Sequence, residues 1–99
     1  MRLVFLRSAE GDLRWFRQYY ENVFPDGGRR AWRQYAKAAR RLVSLPLLGH
    51  PSDGKGIREY AIGGLPFSFI YRVVDDRIEI LRLWTSGRSV AMTGSIARL

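Results

Sequence analysis

Cysteine is absent and histidine occurs once, so the chain has no disulfide framework, no thiol chemistry and no His or Cys cluster for a metal. His50, between Gly49 and Pro51, has no acid or nucleophile at a recognisable spacing and reads as a turn residue. No metal and no other cofactor is expected. Long apolar runs are missing as well. Nothing approaches the roughly 18 residues of a membrane span, and the apolar run after Met1 is too short for a signal peptide. The expectation is a cytoplasmic protein with no membrane partner. Walker and dinucleotide-binding glycine spacings do not occur. Neither repeats nor linkers break up the 99 residues, which read as one domain, 1–99, with a single core.

Negative charge is the scarce sign. Nine acids face seventeen bases, a formal net charge of +8, and all but two of the bases are arginine. Such a chain attracts anions, and nucleic acid, the ribosome and an acidic protein all qualify. Arginine favours planar, bidentate contact with carboxylate or phosphate over diffuse attraction. An apolar fraction of 46% with 13% aromatic is globular, not disordered.

What is present is, first, a β-meander. Ile57–Ile62 ends at Gly63-Gly64-Leu65-Pro66, where glycine supplies positive φ and proline lacks a ladder donor. Phe67–Val74 stops at Asp75-Asp76, and Arg77–Trp84 is β-branched and aromatic enough to be its antiparallel partner. Pairing Val74 with Arg77 sets Arg72 opposite Glu79, Tyr71 opposite Ile80 and Phe69 opposite Arg82. With Ile62 opposite Phe67, one face collects Arg58, Tyr60, Ile62, Phe67, Phe69, Tyr71, Val73, Ile78, Ile80, Arg82 and Trp84. This is the expected core, with the two arginines snorkelling at its rim. The other face is only half polar, which leaves room for a covering partner.

The first half is helical after a short strand. Leu3–Leu6 fits a strand buried in the sheet. Ser8 is the expected cap of a first helix, with Glu10 and Asp12 near its positive end and Leu13, Phe16, Tyr20 and Val23 on its apolar face. A second helix is expected from about Arg29 to Leu45. Trp32, Tyr35, Ala36, Ala39, Leu42 and Val43 cover one side, and Arg29, Arg33, Lys37 and Arg40 form a stripe on the other, flanked by Arg30 and Arg41. A charged stripe is usually just a solvated face. This one contains no acid between Arg29 and Arg41, so its like charges repel and an anionic partner would relieve them. The segment 47–56 reads as a loop, and Ser89–Leu99 as a weakly periodic tail with a short strand at Val90–Met92.

The order strand, helix, helix, meander, together with Ile57-Arg58-Glu59-Tyr60, Pro66-Phe67, Ile70-Tyr71-Arg72-Val73 and Ile80-Leu81-Arg82-Leu83-Trp84 followed by Gly87-Arg88, resembles the ParE-like branch of the RelE/ParE toxin superfamily. Pro46-Leu47-Leu48-Gly49-His50-Pro51, Ser8, Asp12-Leu13 and Tyr20 fit the same pattern, so the similarity covers nearly the whole chain. The resemblance implies an α+β fold in which the N-terminal strand and the meander form one sheet beside a two-helix hairpin. It also implies the toxin of a bacterial type II toxin–antitoxin pair, neutralised by a partner's tail that folds over it.

RelE-like members cleave mRNA in the ribosomal A site with lysines on the first meander strand, an arginine on the next, another after the last, and a tyrosine near the end. Aligned through Tyr71, those positions hold Glu59 and Ala61, Ser68, Arg88 and Gly94. Only Arg88 matches, and metal-free RNA cleavage needs a base and cations that the others do not supply. ParE-like members instead inhibit DNA gyrase, which is the activity the resemblance favours, with no catalytic residues. A ribosome-dependent endoribonuclease and a non-toxic basic binding module are the alternatives. Arg82, Trp84 and Arg88 are the candidate target contact, since Trp and Arg dominate interface hot spots. Arg29, Arg33, Lys37 and Arg40 are the candidate contact for an acidic antitoxin.

Overall fold

The computed structural model describes residues 1–52 and 54–85. Arg88, Gly94, the strand at Val90–Met92 and Asp53 of the loop lie outside them. The elements are β1 (Arg2–Phe5), α1 (Arg7–Gln18), a π-helical turn (Tyr19–Val23), a 3-10 turn (Pro25–Gly27), α2 (Gly28–Ser44), β2 (His50–Pro51), β3 (Arg58–Ala61), β4 (Phe67–Val74) and β5 (Arg77–Thr85). The architecture is the expected α+β one. A single mixed sheet has the order β1-β5-β4-β3-β2, with β1 parallel to β5 and the other pairs antiparallel. A parallel pair needs a long crossover, and the two helices lie within it.

Several expectations need correction. β1 is an edge strand and not an interior one, with Leu3, Val4 and Phe5 only half-buried. The loop after α2 contains β2, paired with β3 through His50↔Glu59 and Pro51↔Arg58. The meander register holds from Val74↔Arg77 to Tyr71↔Ile80 and then shifts, so Ile70 faces Arg82 and Phe69 faces Leu83. Leu81 is thus the extra residue of a β-bulge. Leu83 takes the core position, while Arg82 and Trp84 leave the apolar face.

Helix α1 begins at Arg7, two residues earlier than a cap at Ser8 implies. Leu6 is its extended N-cap, and the Leu6 N–H still bonds the Ile80 carbonyl as the last rung of the β1–β5 ladder. Val23 is 69% exposed, because the wider π-helical turn, closed by Phe24 N–H to the Tyr19 carbonyl, rotates it off the apolar face. On α2 the fully buried stripe is Ala31, Ala38 and Leu42, with Trp32, Tyr35 and Ala39 packed beside it. The small alanines stand where the helix comes closest to the core.

Phe16 is the centre of that core. Its ring lies 5.0–5.5 Å from those of Phe67, Tyr20, Trp32 and Tyr35, which joins α1, α2 and β4. Each such pair adds about 0.5–1.5 kcal/mol beyond the area it buries.

Tyr71 and Arg58 fix the exit from α2. The Tyr71 hydroxyl donates to the Pro46 carbonyl (2.8 Å) and accepts from the Gly49 N–H (2.9 Å), and Arg58 donates to the Gly49 carbonyl (2.6 Å). A Cβ at Gly49 would meet the Glu59 carbonyl oxygen at 2.7 Å and the Tyr71 hydroxyl at 2.8 Å, so only glycine fits. Arg58 is therefore a structural clamp and does not merely snorkel.

Candidate functional site

Beyond Phe5, β1 no longer covers β5, and α1 takes over the exposed edge with side chains. The Ser8 hydroxyl donates to the Leu81 carbonyl (2.7 Å), and Asp12 Oδ2 accepts the Leu83 N–H (3.1 Å). Ser8 and Asp12 are one helical turn apart, a spacing that lets both reach the strand. They supply backbone partners on the side of β5 that β1 no longer covers.

Asp12 also takes two hydrogen bonds from Arg82, Nε to Oδ2 at 2.6 Å and the guanidinium nitrogen Nη2 to Oδ1 at 3.0 Å. This bidentate pair, joining a buried carboxylate to a guanidinium that is about one-third exposed, holds the arginine in its charged form and raises its pKa. The Arg82 guanidinium carbon lies 4.5 Å from the Trp84 ring centroid, a cation–π contact. Arg82 and Trp84 thus come together as a half-exposed plate, though Arg82 is not the free cation its sequence position suggests. Arg88, the third candidate, lies outside the described residues.

Sequence reasoning placed Asp12 at the helix dipole and missed this role. The available signal was its spacing. Asp12 precedes Phe16 by four residues on the buried seam of α1, where an acid needs a partner.

The α2 stripe is arranged differently. Arg29, Arg33, Lys37 and Arg40 are all exposed. Among the described residues the ion pairs engage only Asp12 and Glu79, so no acid neutralises the stripe. Beside it, Ala39, Arg40, Val43 and Ser44 line a shallow cleft, and exposed Leu45 and Leu47 follow in the chain. The sequence-predicted target and antitoxin residues are therefore on separate elements.

Of the positions compared with the RNA-cleaving branch, Glu59, Ala61 and Ser68 lie on adjacent strands of the sheet. Ala61 pairs with Ser68 and Ser68 with Trp84, while Glu59 pairs with Ile70 and Ile70 with Arg82. Ser68 is fully buried, so its hydroxyl is not open to a substrate. Next to these rows, Arg72 and then Arg77 hydrogen-bond Glu79 and hold its carboxyl below the usual range. Burial pushes Tyr35 up to about 12, and raises Tyr20 and Tyr71. Among the described residues no three His, Cys, Asp or Glu side chains gather to hold a metal ion, and no helix is long and apolar enough to cross a membrane.

No family model and no curated protein matches the sequence. Among solved structures the chain is similar to one from the chromosomal ParDE TA system of P. aeruginosa, with a TM-score of 0.71 and 27% identity over 88% of this chain and 97% of that one. The correspondence spans nearly all of that chain. The protein has a RelE/ParE-like α+β fold, and this match supports a ParE-like chain.

Proposed function

We propose that this chain is the toxin of a type II toxin–antitoxin pair, that an acidic antitoxin neutralises it, and that it inhibits DNA gyrase. The observation carrying the toxin reading is the near-complete structural match to a chain of the ParDE TA system. Gyrase is favoured over mRNA because a metal-free nuclease needs cations and a base where this chain has Glu59, Ala61 and a buried Ser68. A carboxylate there would repel the phosphate it had to stabilise. The plate of Arg82 and Trp84, with Arg88 following in sequence, is the proposed target contact, since its residue types dominate interface energetics. The proposed antitoxin contact is Arg29, Arg33, Lys37 and Arg40, supported by their exposure and lack of acidic neighbours, with the Val43–Leu47 apolar strip taking the other face of an amphipathic segment.

Regulated expression in bacteria tests the proposal. Growth arrest with induction of the DNA-damage response, broken chromosomes and intact transcripts is expected. Transcripts cut within codons would assign the ribosome instead, and harmless expression would leave only a basic binding module.

A further inference from the structure

Between α2 and the β3–β4 hairpin lies a cavity of about 110 Å³, lined by Gln34, Lys37, Ala38, Arg41, Tyr60 and Gly63. By the same measure one water needs only about 10–15 Å³, so the space holds several waters or one short side-chain arm. Each polar side chain on its wall can donate a hydrogen bond: the Lys37 ammonium, the Arg41 guanidinium, the Tyr60 hydroxyl and the Gln34 amide. No acid lines it, and among the described residues none of these four side chains has a hydrogen bond or ion pair. Lys37 and Arg41 stand one turn apart on α2, a like-charge pair that disfavours the helix until an anion comes between them. Arg30 ties α2 to the hairpin by donating to the Gly64 carbonyl (3.3 Å), so the two walls are already fixed relative to one another.

We propose that this cavity receives one carboxylate, an Asp or Glu side chain of the acidic antitoxin, and so anchors that partner beside the basic stripe. The source of the carboxylate rests on the toxin–antitoxin reading, whereas the anion preference rests on the cavity alone. A nucleic-acid phosphate carries a sugar on either side and would have to lie across the open mouth of the cavity. A carboxylate ends its own side chain and can enter alone.

The test is an NMR titration of the ¹⁵N-labelled full chain with N-acetylglutamate α-amide, which presents a single side-chain carboxylate between blocked ends, and in parallel with inorganic phosphate. The carboxylate should give saturable shifts at the Gln34 side-chain amide and the Gly63 N–H, with a Kd of about 1–10 mM. Lys37→Ser and Arg41→Ser should each weaken it by about tenfold, as loss of a charge-assisted hydrogen bond does. Arg14→Ser, at an exposed arginine of α1, should leave it unchanged, and unshifted resonances elsewhere will show that the variants are folded. Shifts that never saturate, or that survive both cavity substitutions, would overturn the proposal. Saturation by phosphate without saturation by the carboxylate would overturn it too. The titration reads the cavity and growth arrest reads the toxin function, so either can fail without the other.

Discussion

Asp12 makes three hydrogen bonds through one buried carboxylate, two from Arg82 and one from the Leu83 N–H. Removing it would orphan a buried backbone donor at a cost of about 1–3 kcal/mol. The guanidinium, about one-third exposed, would be re-solvated and add little to that. Asp12→Ala should therefore lower unfolding stability by about 1–3 kcal/mol in urea. Asp12→Asn keeps an acceptor for Leu83 and should lose less. Equal stability in all three proteins would show that the edge of β5 does not depend on this carboxylate. Tyr35 gives a pH prediction at the same scale. Its folded pKa is about 12, above the ordinary value of 10.0, because burial disfavours the phenolate. The stability it contributes is fully present below pH 10 and is lost as pH rises through 12. Unfolding midpoints should fall between those values, and Tyr35→Phe should flatten that fall. An unchanged slope in the variant would place Tyr35 in solvent.

Among the elements, the meander was the most legible part of the chain. The Asp75-Asp76 turn fixed the register from Val74↔Arg77 to Tyr71↔Ile80, and Gly63–Pro66 fixed Ile62 against Phe67. The bulge at Leu81 was not legible because its cause is not local. It occurs where β1 has ended and Ser8 and Asp12, more than seventy residues away, take over the bonds of β5. The same long-range origin hid β2, which follows loop carbonyls that Tyr71 and Arg58 hold in place. Helix α2 was legible from its periodicity and its lack of acids. If its stripe guides an acidic antitoxin, charge reversal at Arg33, Lys37 and Arg40 together should slow association by about tenfold or more at low salt and matter little at high salt. Equal on-rates at low ionic strength would mean that the stripe is only solvated.

For the whole molecule, the fold separates two surfaces. The α2 stripe carries unneutralised charge, and the end of β5 carries Arg82 stacked on Trp84. If the proposed antitoxin grips the first and the proposed target the second, Trp84→Ala should abolish toxicity and leave antitoxin binding intact. Trp84 is half-exposed, so this change should cost less stability than the roughly 3–5 kcal/mol of a core tryptophan. The candidate site was readable as residue types, yet the pairing that neutralises Arg82 depended on the packing of α1 and could not be read from spacing along β5. The decisive measurement is a DNA cleavage assay with the purified protein, DNA gyrase and supercoiled plasmid, stopped with detergent and protease. Gyrase poisoning predicts accumulation of linear plasmid, lost in a folded Trp84→Ala variant, whereas undisturbed gyrase together with codon-specific cutting of mRNA on programmed ribosomes would contradict it.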